Sequence, residues 1–244
     1  MGQFPTSGGC NIPARSDKLF QRRKTAKKLS RRAATIAPRR RVLIVTEGEV
    51  TEVQYFESVK NILGLVNVDL DICGKECDSS PTAVVRYAIA RAEAEGLHSN
   101  GGYNDVYCVI DRDTHQDFYK ALSEIAAANK PRSSFKGERI FQIVSYPCFE
   151  YWLLLHFEFS RSPFSASGNK SAAEMLAAEL KKHPPFEAFD KSLTKEMLAK
   201  LQAVQETAVA NASKALNDAN DTGEMNPSTT VHELIKALEK LGKK

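Results

Sequence analysis

A chain of 244 residues, 42% of them hydrophobic, is long enough to bury one α/β core with a helical annex and needs no disulfide staple. Five scattered cysteines (Cys10, Cys73, Cys77, Cys108 and Cys148) exclude a disulfide framework, and the apolar run YWLLLHF at 151–157 is far too short to span a bilayer; a cytoplasmic protein without membrane contact is expected. The net charge of +4 is uneven, because residues 15–41 hold twelve Lys or Arg against Asp17 alone and the remainder holds 22 basic and 29 acidic residues.

The chain therefore opens on a basic arm, residues 1–40, that has too few large apolar side chains to order itself. Arg22, Arg23, Lys24, Lys27, Lys28, Arg31, Arg32, Arg39, Arg40 and Arg41 are its candidate phosphate contacts, since an acidic body with a basic arm suits a polyanionic partner. After the arm, apolar runs predict strands at about 42–46, 66–72, 105–110 and 139–144, alternating with helices at about 51–63, 81–95, 116–129 and 149–157. Strand and helix alternation of this kind is a mainly parallel sheet flanked by helices. Ser80 and Pro81 read as a helix cap and first helical position, and the NGG at 100–102 as a break before the third strand. Beyond residue 170 the sequence reads as helical: Ala and Leu dominate 171–181 and 197–216, and Thr230 with Glu233 predicts a capping box opening a last helix.

Two strand ends carry chemistry. The continuous run Val42–Val45 fits a strand covered on both faces, and Glu47 and Gly48 follow it at the carboxyl end, where open α/β sheets bind ligands. In DVYCVIDRDTH, at 105–115, Asp111 and Asp113 emerge at the end of the third strand. Carboxylates this close repel, and a hard divalent cation lets them stay ionised together, so a Mg²⁺ or Mn²⁺ site is expected. If the first and third strands are neighbours, Glu47 faces Asp111 and Asp113 across one crevice.

A strand followed by Glu-Gly and a later strand followed by Asp-x-Asp resembles the Toprim domain. Within that group, TEGEVTEVQYFESVK, VIDRDTH, SYPCFEYWLLLHFE and NPSTTVHELIKAL, spread over about residues 41–240, resemble the RloB family. The resemblance implies a Toprim-like α/β domain at 41–160, with a helical C-terminal extension at 161–244 packed on it. It also implies a Mg²⁺-dependent nuclease of bacterial or archaeal defence against phage or foreign nucleic acid, sometimes encoded beside an ATPase or a restriction system. DNA and RNA, tRNA included, remain equal as substrates, and a homo-oligomer is open. The alternative is a non-catalytic nucleic-acid-binding or regulatory subunit of such a complex.

For phosphodiester hydrolysis, Glu47, Asp111 and Asp113 are the expected catalytic residues and metal ligands, with Glu47 as ligand or proton acceptor. His115 stands where the wider Toprim pattern often has a third acid, and it reads as a ligand, a proton shuttle or a helix cap. Gly48, Glu52 and Glu150 are secondary candidates; Glu52 equally suits the first turn of a helix, where the dipole favours it, and Glu49 is weaker still. His156, on an apolar helix, reads as a core histidine. The CGKEC pair at 73–77 has no second pair for zinc, and SGNKS at 167–171 lacks the first glycine of a phosphate-binding loop. The C-terminal helices, with Lys181, Lys182, Lys191, Lys195, Lys200 and Lys214, are expected to shape substrate access or dock a partner and not to join the metal site.

Overall fold

A computed structural model describes residues 40–72, 80–95, 102–113, 115–131 and 139–242. The arm to Arg39, the CGKEC pair and Asn100 and Gly101 of the NGG lie outside these residues.

Five strands form one sheet: β1 (Val42–Thr46), β2 (Val68–Ile72), β3 (Asp105–Asp111), β4 (Ile140–Tyr146) and β5 (Ser228–Thr229). Their order is β2-β1-β3-β4-β5; all neighbours run parallel except the antiparallel pair β4 and β5. The apolar run of β1 divides between two cores. Val42 and Ile44 face one, with Tyr55, Phe56 and Trp152, while Leu43 and Val45 face the other, with Val84, Val85 and Phe118. The helices α1 (Thr51–Ile62), α2 (Pro81–Glu95) and α3 (Phe118–Ala128) cover the sheet, α1 on the first face and α2 and α3 on the second. The chain leaves β1 toward β2 and then returns across β1 to build β3. That reversal puts the topological switch point between β1 and β3, and the crevice above such a point is where open α/β sheets take ligands.

The first core is closed by α4 (Glu150–Leu154), α5 (Ala172–Leu180), α6 (Lys195–Ala203), α7 (Gln205–Thr222) and α8 (Val231–Gly242). Helix α4 and the residue after it, Tyr151 to Leu155, are fully buried, as a segment apolar on all sides must be. Each large side chain there contributes about 1.5–3 kcal/mol. His156 is buried with them and holds the Trp152 carbonyl through Nδ1 at 3.0 Å, in keeping with a core histidine. Cys108 and Cys148 are buried, and among the described residues no helix is long and apolar enough to cross a membrane.

Several local expectations are corrected. The helix read at 149–157 ends at Leu154, because the next N–H groups bond three residues back, His156 to Leu153 and Phe157 to Leu154. The single helical stretch read at 197–216 is two helices, broken at Val204 (φ −120°, ψ 18°). Thr230 does not form the predicted capping box. Its Oγ1 instead accepts from the Val144 N–H at 2.8 Å, covering the outer edge of β4 beyond the short β5. Asn129 covers the same edge further down, its Nδ2 donating to the Ile140 carbonyl at 2.8 Å and its Oδ1 accepting from the Ile140 N–H at 3.1 Å. The capping box that does form is Ser171 with Glu174, at the start of α5. Ser80 caps α2 as expected, accepting from the Ala83 N–H at 3.3 Å, with Pro81 as the first helical residue.

Candidate active site

Adjacent parallel strands bring the two acidic strand ends together. Thr46 pairs with Val109, and Glu47 extends the pairing by donating its N–H to the Val109 carbonyl at 3.2 Å. The Glu47 carboxylate then turns over the end of β3, where Oε2 lies 3.5 Å from the Asp111 N–H. On the other side of β3, Asp111 pairs with Ser145 of β4, and the chain turns back through Pro147 and Cys148. Asp111 Oδ2 accepts from the Phe149 N–H at 3.2 Å, which fixes this carboxylate against the start of α4 and sets Glu150 beside it.

Glu52 completes the group from the first turn of α1. It is 8% exposed and Glu150 7%. A Cβ on Gly48 would fall 2.0–2.2 Å from the Glu52 carboxylate, so the Glu-Gly of the sequence is explained by a close approach and not by a left-handed backbone.

The electrostatics of this group are poorly compensated. Burial pushes the Asp111 carboxyl well above its ordinary range, and Glu52, Glu150 and Glu47 push it further. Burial likewise raises Glu47 to about 7; His115 and the Asp111 N–H pull against that rise, while Asp113 and Asp117 add to it. Glu52 is raised to about 7 by burial and then by Glu150 and Glu47, opposed by its own N–H and by Lys191. The Cys148 thiol, pushed up by burial and by Glu150 and Asp111, stays protonated and is no thiolate ligand. Four carboxylates from four strand and helix ends thus share one crevice.

The structure does not bring the whole expected set into one buried group. Asp113 does not enter the buried group: its side chain is 45% exposed, and its Oδ1 accepts from the His115 N–H at 3.0 Å. His115 bridges the two regions, with Nε2 3.2 Å from Glu47 Oε1 and 3.4 Å from Asp113 Oδ1. Among the described residues no three His, Cys, Asp or Glu side chains stand as a ready-made metal cage. The donor set itself, hard carboxylate oxygens facing one another with little cationic compensation, fits a hard divalent cation.

Glu52 and Glu150, the secondary candidates, stand in this group, and Lys191, one of the lysines expected at substrate access, lies against α1, its carbonyl accepting from the Thr51 hydroxyl at 2.5 Å. Arg40 and Arg41 stand at the opposite, amino end of the strands, bonded to Asp105 and to Asp69 and Glu95; the other arm candidates lie outside the described residues.

A three-layered α/β protein, with helices on both faces of its sheet and acids gathered at the switch point, is the class that fold and site define. The model of the RloB-like protein family matches residues 42–238, and the chain belongs to that family. No curated protein matches it, and no solved structure does.

Proposed function

We propose that this protein is a divalent-metal-dependent nuclease that hydrolyses phosphodiester bonds in nucleic acid, acting in the cytoplasm in defence against foreign genetic material, with an ATPase or restriction-system protein as partner. The observation that carries the reading is the meeting of Glu47 and Asp111 across the β1–β3 switch point, backed by Glu52 and Glu150. Asp111 and Glu47 would hold a Mg²⁺ or Mn²⁺ ion, with Glu52 and Glu150 behind them. Such an ion, when bound, neutralises charge on the scissile phosphate and acidifies water. Glu47 is suited to accept the proton of the attacking water as the P–O bond to the leaving oxygen breaks, and that oxygen takes a proton from solvent water to leave as a hydroxyl. His115, 3.2 Å from Glu47 and 33% exposed, is suited to pass that proton to solvent. Asp113 orients His115 through the hydrogen bond to its N–H.

The test is cleavage of DNA, total RNA and tRNA with Mg²⁺ or Mn²⁺ by wild type, Asp111→Asn and Glu47→Gln proteins whose folding is checked by circular dichroism. Rate losses of about 10²–10⁴ are expected for both variants. Equal cleavage by all three proteins would remove the acids from the chemistry. Retention of nucleic acid without cleavage by any of them would support the non-catalytic subunit instead.

A further inference from the structure

Among the described residues, Lys191 is the one non-glycine residue with a positive φ, 77°. A side chain in this left-handed region costs on the order of 1–2 kcal/mol, and such strain persists only where the surroundings enforce it. Here they do. The Thr51 hydroxyl donates to the Lys191 carbonyl at 2.5 Å, the Gln54 Oε1 accepts from the Leu193 N–H at 2.6 Å, and the Gln54 Nε2 reaches the Ser192 hydroxyl at 3.4 Å. Asp190 Oδ1 accepts from the Ser192 N–H at 3.2 Å and tightens the turn, while Leu193 is buried behind it. The contacts of Thr51 and Gln54 fall on the first turn of α1, the turn that carries Glu52.

Glycine would suit this backbone without strain, yet the position holds an exposed lysine. Among the described residues no carboxylate lies within ion-pairing distance of its ammonium, so the charge is not consumed in a salt bridge. It acts at longer range on Glu52, as the smallest of the influences on that group, and on the exposed Glu174. The amino end of α1 beside it has no side-chain cap, so its helix dipole adds a second positive contribution at the same place. A cation on a rigid turn at the rim of an acid cluster has one evident use in phosphate chemistry.

We propose that Lys191, clamped by its turn onto α1, grips a phosphate of the nucleic-acid backbone and lays the strand across the acid cluster. On the nuclease reading this makes Lys191 a substrate-positioning residue contributed by the C-terminal extension, and singles it out among the lysines that the sequence sets at substrate access. A lysine serving only to offset Glu52 would be felt in stability and not in substrate binding.

Lys191→Gly and Lys191→Arg proteins separate the two roles. Relief of the left-handed strain offsets the greater unfolded-state freedom of glycine, so Lys191→Gly should melt no more than about 2–4 °C below wild type. Fluorescence anisotropy of a labelled RNA stem-loop and a labelled DNA duplex, with Ca²⁺ in place of Mg²⁺, is then followed against salt. For Lys191→Gly we expect about tenfold weaker binding and a salt slope shallower by about 1, with Lys191→Arg close to wild type. In Mg²⁺ the same loss should raise KM more than it lowers kcat. Wild-type binding and slope in Lys191→Gly overturn the assignment even if the wild-type protein cleaves. Weakened binding by Lys191→Gly, with a wild-type protein that binds but never cleaves, keeps the assignment and overturns the nuclease reading. No binding of either probe by wild type overturns both.

Discussion

The two ends of the same parallel sheet treat charge in opposite ways. At the amino end, Arg40 grips Asp105 with Nε and Nη2 at 3.0 and 2.8 Å, and Arg41 reaches both Asp69 (2.5 Å) and Glu95 (3.4 Å) while lying over the Tyr103 ring. Burial pushes the Asp69 carboxyl up, but the hydrogen bonds from Tyr103 and Arg41 outweigh it and hold the group below its usual range. At the carboxyl end, burial and mutual repulsion win, and Glu47, Glu52 and Asp111 are all raised. Compensated acids hold a fold together, whereas uncompensated ones persist where a ligand or a reaction uses them. On the proposed reading the carboxyl end is the working end, and substitutions at each end should show the difference with opposite signs.

The largest effect on stability is expected at Glu52. Its ordinary carboxyl value is 4.5 and its folded value about 7, so as pH rises the unfolded chain gives up its proton first. Stability tied to this group is complete below 4.5, falls between 4.5 and 7, and stays lost above that window. Glu52→Gln has no such proton to lose. At pH 8 the variant should therefore be more stable than wild type by roughly 3 kcal/mol, and the two should converge near pH 4.5. Mg²⁺ should narrow the gap at pH 8 by stabilising wild type more than the variant. Urea unfolding at the two pH values, with and without Mg²⁺, measures this; a variant less stable at pH 8 would show Glu52 to be compensated like Asp69 and break the contrast.

The working end was only partly legible beforehand. Glu47 and Asp111 could be read because uninterrupted apolar strands announce where they stop, and because parallel strands all stop on the same side. The separation of Asp113 from the buried group could not, since it depends on a turn in which the His115 N–H captures the carboxylate. Lys191 could be read only as one of several lysines near the substrate path; its turn could not be read, because the partners Thr51 and Gln54 are remote in sequence and no glycine announces a left-handed residue. For the same reason the two-residue β5 escaped notice: it exists by pairing with Ser145 and Tyr146, not by any pattern of its own. The break between α6 and α7 has neither Gly nor Pro at Val204 to signal it. Thr230 and Glu233 carried a correct local signal for a helix start, but the open edge of β4 competed for the hydroxyl and took it.

Gly48 sharpens the contrast through geometry alone. Its backbone is not left-handed, so alanine is sterically possible there for the chain itself, and the conflict is with the Glu52 carboxylate at 2.0–2.2 Å. Gly48→Ala should displace that carboxylate while leaving the sheet intact. Misplacement on this scale typically costs about 10- to 100-fold in rate. In a Glu52→Ala background the same substitution should cost little more, because the clashing group is gone. Cleavage rates of the two single variants and the double variant decide the matter, and additive losses would mean that Gly48 acts on something other than Glu52.

The smallest effect is expected at the amino end, where Asp69→Asn removes a compensated charge. Asp69 is held below its usual 3.8 in the folded chain, so its contribution to stability is present above 3.8 and disappears as pH falls through the lowered folded value. The sign is the reverse of that for Glu52. The side chain is 36% exposed and its partner Arg41 29%, so solvent screening keeps the contribution small, about 1 kcal/mol at pH 7. The Tyr103 hydroxyl, which donates to Asp69 Oδ2 at 2.7 Å, keeps an acceptor in the amide oxygen of the variant, which limits the loss further. Cleavage should be unaffected, because no strand end with an unpaired acid is touched. Urea unfolding at pH 7 and at pH 3, with a cleavage assay at neutral pH, tests all three statements, and a variant that gained stability at pH 7 would place Asp69 with the uncompensated acids and dissolve the distinction between the two ends.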